Sequence, residues 1–446
     1  MRAALGWSYE LLSAAQQELL RRLSVFAGGF SLETAEAVGA TDSDANSEEV
    51  LDLLGGLVEQ SLVEAKPMLG GDGVRYGMLE PVRQYALERL EESGEAEETR
   101  LHHARYYLAL VEAAEPELMG TRQVEWLDRL ERENDNLRAA MLCVLSAGDY
   151  DTAARLGWGL WSFWWLHGHY GEGRRWMEAA LEHELPPALR ARALHAAGSM
   201  AYAQGDSSAA EEHWQEALRL SRHSGDVAVE ALSWTGSGMI EMSRLDYATA
   251  ESYMQKALTL AEPLGEEWLA PLLRVFLGTT LLLQGESERA ERMFEEALAA
   301  ARRLKAPSII YPALYNSAQL ALARGAHEKA TRMLREGIEW TGRTKDRAYL
   351  AHFMEALAAV ASLGSEAERS AVLLGAAEGL LEGVGGRVHN YFVPDPSLQE
   401  RAVAEAHAAL GDTAFEEARE RGRAMTFDQT VEYALGRDEA PATTAP

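Results

Sequence analysis

Between residues 191 and 377, one pattern of small and large side chains recurs at a fixed step of 40 residues. Three series of small residues keep that step: Gly198, Gly238, Gly278, Ala318 and Ala358; Ala210, Ala250, Ala290, Ala330 and Ser370; Ala217, Ala257, Ala297, Gly337 and Ala377. A fourth series is larger and apolar: Trp214, Met254, Phe294, Leu334 and Leu374. Small residues let two helix backbones approach closely, and the larger residue fills the gap between neighbouring units. The pattern therefore predicts stacked pairs of antiparallel helices.

The turn within each predicted pair is marked by a glycine, at Gly205, Gly285 and Gly325, where a helix must stop. The following helix carries Ala210-x3-Trp214 in one repeat and the same small-x3-aromatic spacing in another, which resembles the A-x3-F signature of the tetratricopeptide repeat (TPR). The usual TPR has about 34 residues, so the resemblance implies a TPR-like solenoid with longer helices. HEAT-type repeats are nearer in length, but they do not require this set of small residues.

The composition is strongly acidic. There are 42 Lys and Arg residues against 70 Asp and Glu residues, which gives a formal net charge of -28. This charge repels phosphate backbones and anionic membranes over most of the surface, so it disfavours nucleic acid as a partner of the whole chain. Cys143 is the only cysteine, which excludes an intramolecular disulfide, and no apolar run is long enough to span a bilayer. We therefore expect a cytoplasmic protein without a signal peptide or a membrane contact.

Residues 1–95 differ from the repeats. Apolar residues at helical spacing predict three short helices and a fourth after a hairpin. Two alternating segments around Gly70-Gly71-Asp72-Gly73 predict two strands. The predicted helices cover about 14–26, 32–38, 48–60 and 81–90, and the strands cover 61–66 and 74–78. Three helices followed by a hairpin form a winged-helix layout. The predicted fold class is all-α, a TPR-like α-solenoid preceded by a small winged-helix domain with one β-hairpin.

Several motifs resemble the NB-ARC or STAND signalling ATPases. Residues 5–12, LGWSYELL, are similar to the L-x-x-SY-x-x-L motif that follows the nucleotide-binding module, and residues 78–83, MLEPVR, fall where that family carries M-H-D. Further motifs in the same order, at 21–26, 85–90 and 135–140, are most similar to bacterial STAND-type regulators, predicted ATPases of the LuxR-type transcriptional regulator group. The resemblance implies the sensing half of such a regulator, with an ATPase module upstream in relatives.

Two departures limit what the resemblance implies. Leu79 stands where the family's M-H-D motif has the His that touches the nucleotide. No lysine follows a glycine in the P-loop setting G-x-x-x-x-G-K-[ST], whose backbone and Lys hold phosphates. We therefore expect no nucleotide binding, no cofactor and no enzymatic activity, and no G-x-S-x-G nucleophile motif is present.

The chain is predicted to have five parts. They are a winged-helix domain at 1–95, adaptor helices at 96–150, a TPR-like solenoid at 151–382, capping helices at 383–436 and a disordered tail at 437–446. The capping helices are expected because a solenoid otherwise exposes an apolar end.

Two histidine pairs, His102-His103 and His167-x-His169, raise the question of a metal site. Zinc requires three or four ligands, and no Cys or acidic residue stands at a matching spacing. We therefore predict that no metal is bound.

Trp158 and Trp165 lie seven residues apart and so share a helix face, and most such stripes belong to a core. The repeat register, set from Gly168, instead places both on the inner face of the first helices. The same register places seven more residues there: His195, Tyr202, Met239, Met242, Leu282, Tyr315 and His352. A groove of aromatic, Met and neutral polar side chains suits a peptide, a protein or a small apolar ligand.

Two functions stay open. The first is a non-catalytic, signal-sensing and protein-interaction region of a STAND-type transcriptional regulator. The alternative is a DNA-binding transcriptional regulator that acts through the winged helix. Residues 1–95 contain more than twice as many acidic as basic residues, and the predicted hairpin tip has no cation, which disfavours the alternative.

Overall fold

The computed structural model describes residues 2–39, 47–67, 73–382 and 396–437, which form 22 α-helices and one two-stranded sheet. The predicted all-α fold with a winged helix and a TPR-like solenoid is confirmed. The chain divides into two compact units. The first comprises Met1–Pro116, Glu125–Phe163 and Arg175–Ala193, and the second comprises Glu117–Val124, Trp164–Arg174 and Leu194–Pro446.

The first unit begins with the winged helix. Its elements are α1 (Arg2–Glu10), α2 (Ala14–Leu23), α3 (Leu32–Gly39), α4 (Ser47–Glu59), β1 (Glu64–Pro67), β2 (Val74–Gly77) and α5 (Glu80–Ser93). A capping box starts α2, because Ser13 Oγ accepts from the Gln16 amide at 3.3 Å and Gln16 Oε1 accepts from the Ser13 amide at 3.0 Å. The predicted helix to residue 26 was too long, since α2 ends at Leu23 and Phe26 follows in a turn. Helix α1 was not predicted.

The wing is an antiparallel hairpin in which Lys66 faces Arg75. Phe30 adds a single-residue bridge to the hairpin, because its amide and carbonyl both pair with those of Tyr76 at 2.8 Å. The predicted turn residues Gly70 to Asp72 lie outside the described residues.

The first unit continues into α6 (Ala96–Ala114), α7 (Gln123–Arg132) from Glu125 on, and α8 (Asn134–Ser146). A buried polar cluster ties the winged helix to α6 and α8. Glu133 pairs with Arg75 of β2 at 2.5 Å and accepts a hydrogen bond from Tyr107 at 2.7 Å. Asn136 donates to Glu133 at 2.8 Å and accepts from the Ala27 amide at 2.8 Å. Burial alone would raise the pKa of the Glu133 carboxyl, but the hydrogen bonds from Arg75, Tyr107 and Asn136 outweigh burial. The pKa of Glu133 is therefore below its ordinary value, and the carboxylate is charged and fully hydrogen-bonded.

Six helix pairs follow. Their bounds are α9 (Tyr150–His167), α10 (Tyr170–Leu181), α11 (Pro187–Ala203), α12 (Ser207–Ser224), α13 (Val227–Ser243), α14 (Tyr247–Ala261), α15 (Leu269–Leu283), α16 (Ser287–Leu304), α17 (Pro307–Ala323), α18 (His327–Thr344), α19 (Arg347–Leu363) and α20 (Ala367–Leu381). From α12 to α20 in the second unit, each helix packs against the next one in the chain. This is the packing of a solenoid, in which each repeat contacts its neighbours.

The small and large residue series pack together as predicted. A Cβ atom added to Gly198 would lie 2.9 Å from the Trp214 ring, and one added to Gly236 of the next repeat would lie 2.3 Å from it. Trp214 therefore fills the space between α11 and α13. Phe294 plays the same part beside Gly278, where an added Cβ would lie 2.7 Å from the ring. At these positions a glycine leaves room for the aromatic ring of a neighbouring helix to lie against the helix backbone.

The turn inside each pair requires a left-handed residue. Gly205, Gly285 and Gly325 have φ of 82°, 84° and 73°. The equivalent positions Leu245 and Ser365 adopt the same conformation without glycine, at 63° and 61°. These two non-glycine residues carry local backbone strain.

The second unit ends in α21 (Pro396–Arg423) and α22 (Phe427–Ala434). Gly411, with φ 72° and ψ 165°, breaks α21 into two helical segments. Thr426 starts α22 with a capping box to Gln429. Phe415 packs in a buried cluster with Val372 of α20, and this covers the end of the repeats. Residues 383–395 of the predicted capping region and all of the predicted tail after residue 437 lie outside the described residues, and the five-part division stays a prediction.

Among the described helices, none combines the length and the apolar character that a membrane span requires.

Candidate partner-binding surface of the helical repeats

Equivalent positions on successive first helices form rows, because neighbouring repeats are related by one regular displacement. One row contains Tyr202, Met242, Leu282 and Leu322, each 40 residues from the next. Three of these side chains are buried, and Leu282 is half-buried. Tyr202 packs against the Trp214 ring at 5.6 Å, and the Thr280 hydroxyl contacts Met242 Sδ at 3.3 Å. Most of this row therefore holds repeats together rather than facing solvent.

A neighbouring row contains His195 and Tyr315. His195 is buried beside Trp214, with ring centroids 6.4 Å apart, and burial lowers the pKa of its imidazole to about 3. It is therefore a neutral ring at physiological pH. Tyr315 has 0% exposure and packs edge-on against His352 and Phe353, each at 6.1 Å. Met239 is also buried.

Trp158 belongs to the first unit and is buried there. Its indole Nε1 donates to the Glu115 carboxylate at 2.5 Å, and the Arg192 guanidinium lies 5.2 Å from the ring centroid. A hydrogen bond to a charged acceptor and a cation over the ring fix this tryptophan in place.

Trp165 belongs to the second unit and is half-buried. Its ring meets Tyr170 edge-on at 6.3 Å, and the Tyr170 hydroxyl donates to the Trp165 carbonyl at 3.1 Å. Of the nine predicted groove residues, Trp165, Leu282 and His352 are the half-buried ones that a partner can reach without repacking the interior.

A titratable cluster lies near His352. Asp346 starts α19, where its carboxylate accepts from the Tyr349 amide at 3.0 Å. Burial raises the pKa of Asp346 to about 6, although backbone hydrogen bonds and the nearby His167 and His352 oppose that rise. Burial together with the Asp346 charge also raises the pKa of Tyr170. Asp346 therefore changes charge close to physiological pH.

One accessible surface was not predicted. Trp234 of α13 is half-buried, and its ring lies tilted against Tyr253 of α14, with centroids 4.9 Å apart. Lys256 Nζ lies 4.6 Å from the Trp234 ring centroid, and the Arg222 guanidinium lies 4.9 Å from it. This cluster lines an open cleft of about 630 Å³ that also includes Glu251. The sequence distinguishes this position, because Trp234 is aromatic whereas the equivalent residues of the other repeats are Leu194, Arg274, Leu314 and Met354.

The ring centroids of His167 and His169, where no bound metal was predicted, lie 6.4 Å apart. This spacing does not test the expectation that no metal is bound, which stays a prediction.

The winged helix presents an acidic surface. In a winged helix-turn-helix the last of the three helices before the wing enters the major groove. Here those three helices are α2, α3 and α4, so that helix is α4. Glu49, Asp52 and Glu59 are exposed on it. The exposed Lys66 of the wing pairs with Glu64 at 2.7 Å, and Arg75 is held by Glu133. The cations of the hairpin are thus already paired, and α4 would bring carboxylates toward phosphates.

Two family models match separate parts of the chain. A winged helix-turn-helix domain matches residues 12–91, and a MalT-like TPR region matches residues 167–346.

Curated relatives match parts of the sequence. A "putative HTH-type transcriptional regulator" of Mycobacterium tuberculosis is 36% identical over 248 residues, which is 53% of this chain and 28% of the relative. An "uncharacterized protein" of the same organism is 47% identical over 95 residues, 21% of this chain and 24% of the relative. This chain spans about a quarter of the length of the curated relatives that it matches.

Solved structures with similar folds include a Signal Transduction ATPase with Numerous Domains (STAND) protein with a tetratricopeptide repeat sensor from Pyrococcus horikoshii. It has a TM-score of 0.48 and 15% identity, over 92% of this chain and 65% of that chain. A Rap protein complexed with competence and sporulation factor has a TM-score of 0.49 and 13% identity, over 98% of this chain and 97% of that chain. These likenesses concern the fold.

The family matches coincide with the two structural features built above, the hairpin-bearing helical domain and the stacked helix pairs. The chain therefore contains a winged helix-turn-helix domain followed by a MalT-like TPR region, and it is homologous to mycobacterial proteins named as HTH-type transcriptional regulators.

Proposed function

We propose that this chain is the signal-sensing and protein-interaction region of a STAND-type transcriptional regulator of the LuxR group. The order of a winged helix and a MalT-like TPR region supports this, as do the motifs at 5–12 and 78–83 that resemble NB-ARC proteins. The curated relatives are about four times as long as the part that matches, which leaves room for an ATPase module in them. In this proposal, the TPR region takes up a signal and the winged helix passes its occupancy to that module.

The observation that carries the proposal is the acidic outer face of α4. A helix that presents Glu49, Asp52 and Glu59 is repelled by DNA, so the winged helix serves contacts with protein instead. The alternative, direct DNA binding, is favoured by the match to a winged helix-turn-helix domain. The charge on α4 is our reason for proposing protein contacts rather than DNA contacts for the winged helix.

The partner class follows from the burial of the predicted groove. Trp158, His195, Tyr202, Met239, Met242 and Tyr315 are buried against their neighbours. The accessible surface is a rim of half-buried side chains, and such a rim suits a peptide or protein better than a small apolar ligand, which requires an enclosed pocket. We propose that the partner is a protein or peptide, that no cofactor or catalytic group takes part and that the protein acts in the cytoplasm.

The test compares two half-buried tryptophans. Trp165→Ala is expected to abolish capture of one defined protein from lysate, identified by mass spectrometry, with the melting temperature nearly unchanged. Trp340→Ala on α18 is the matched control, since Trp340 is also half-buried and carries the Arg343 guanidinium at 5.1 Å. It is expected to retain the same protein.

A large fall in melting temperature with unchanged capture would assign Trp165 to the core and refute the groove. The corresponding loss in the free energy of unfolding would be roughly 3–5 kcal/mol, the cost of removing a buried aromatic side chain.

A further inference from the structure

A short segment far from the repeats in sequence belongs to the second unit. Residues 117–124, here the latch segment, cluster with that unit. Glu117–Met119 form one turn of 3-10 helix, which is closed by a hydrogen bond from the Gly120 amide to the Glu117 carbonyl at 3.0 Å. Leu118 and Gln123 have 0% exposure, and Met119 is nearly as buried. A glutamine is seldom buried unless its amide is fully hydrogen-bonded.

Gln123 meets that requirement at the start of α17. Its Oε1 accepts from the Ser308 amide at 3.2 Å, and its Nε2 donates to Ser308 Oγ at 3.0 Å. Nε2 also donates to the Leu118 carbonyl, which folds the segment back on itself. Ser308 is the second residue of α17, so its amide is one of the four at a helix start that have no partner within the helix.

The repeats explain why the segment binds at α17. Asp226 and Asp346, at equivalent positions, cap α13 and α19 by accepting from the amides of Val229 and Tyr349 at 3.2 Å and 3.0 Å. The equivalent residue before α17 is Ala306, whose methyl side chain cannot accept a hydrogen bond, and its backbone carbonyl accepts from the Ile309 amide at 3.1 Å. Gln123, 185 residues away, provides a side-chain acceptor for the neighbouring Ser308 amide.

We propose that the latch segment occupies a docking site at the N-terminus of α17, and that a peptide with two adjacent aliphatic residues and a Gln or Asn four residues after them binds there by displacing it. This deepens the proposed function, on which it rests, by naming the class of peptide. The carboxamide provides an acceptor for the Ser308 amide and a donor for its hydroxyl, while the aliphatic pair replaces Leu118 and Met119.

In this proposal the latch opens from its exposed loop. Thr121 and Arg122 are exposed between the buried Met119 and Gln123. Local opening of such a segment requires less free energy than global unfolding. While it is closed, a free peptide competes with a tethered copy whose effective concentration is on the order of millimolar.

The first experiment measures latch opening directly in the full chain. Gln123→Ala is expected to accelerate amide exchange at Ser308 and trypsin cleavage after Arg122 by about tenfold, because several hydrogen bonds are lost together. Gln123→Glu, which keeps the acceptor but not the donor, is expected to have a smaller effect. Asp226→Ala, the loss of an equivalent cap at α13, is the matched control and is expected to leave both rates unchanged.

The second experiment measures docking. A labelled peptide with the sequence of residues 114–125, AEPELMGTRQVE, is expected to bind the Gln123→Ala chain saturably and the wild-type chain at least tenfold more weakly. The same peptide with Ala in place of its Gln is expected to bind neither chain.

Unchanged exchange in Gln123→Ala, or equal acceleration in Asp226→Ala, would overturn the latch. Equal binding of the peptide to both chains, or binding to neither, would overturn the docking site. The capture test with Trp165→Ala is independent of these measurements, so a failed latch leaves the proposed function standing and a failed capture leaves the latch standing.

Discussion

At the scale of single residues, the 40-residue step determines backbone conformation as well as packing. Gly205, Gly285 and Gly325 are left-handed at the turn within a pair, and Leu245 adopts the same conformation at the equivalent position. For an L-residue with a Cβ, that conformation costs roughly 1–2 kcal/mol, whereas glycine adopts it freely. Leu245 is 71% exposed, so its side chain returns little burial energy.

We therefore predict that Leu245→Gly stabilises the protein by about 0.5–1 kcal/mol, after allowance for the extra freedom of glycine in the unfolded chain. Chemical denaturation followed by circular dichroism measures the change. Leu245→Ala is the control, because it removes the exposed side chain and keeps the strained Cβ. A lower denaturation midpoint for the glycine variant than for wild type would contradict the strain.

At the scale of elements, helix starts are where charge and packing meet. Asp346 caps α19 from a desolvated position, and burial raises its pKa to about 6 from the ordinary 3.8. A raised pKa means that the folded state binds the proton more tightly than the unfolded state. The resulting stability is present below about pH 4 and is lost as pH rises through about 6.

Asp346→Asn is predicted to remove this loss of stability at higher pH, since asparagine keeps the oxygen that accepts from the Tyr349 amide but carries no charge. At pH 7.5 the variant is expected to be more stable than wild type by on the order of 1–3 kcal/mol, with little difference at pH 4. Thermal melts across this pH range measure the difference. Asp226→Asn, at the equivalent cap of α13, controls for general effects of the substitution, and a parallel pH profile for wild type and Asp346→Asn would refute the assignment.

The elements themselves were largely predictable, and their surroundings were not. Helix pairs, glycine turns and the winged-helix hairpin follow from local periodicity, because period and turn chemistry act within a few residues. Helix α1 was missed, since it has no buried residue to mark an apolar face. The role of Asn136 was also hidden, because its partners Ala27 and Glu133 come together only when the winged helix packs on α8.

At the scale of the whole molecule, the net charge of -28 and the exposed carboxylates on α4 both oppose DNA binding. We predict that duplex DNA does not bind at about 150 mM salt, because binding needs cations that release counterions from phosphates. A gel shift measures this. Changing Glu49, Asp52 and Glu59 to Lys is the positive control and is expected to create salt-sensitive, non-specific binding.

A wild-type shift that survives this salt concentration and disappears when residues 1–95 are deleted would favour the direct DNA-binding alternative instead.

The sequence by itself determined the repeat, its step, its turns and the all-α class, since these depend on residues that are close in the chain or related by a constant interval. Only the tertiary structure decided which inner-face side chains stay accessible. Leu282 and Leu322 occupy the same repeat position, yet Leu282 is half-buried and Leu322 is buried, because burial depends on the side chains that pack around each position. The same holds for Gln123, whose partner Ser308 lies 185 residues away and is brought to it by packing alone.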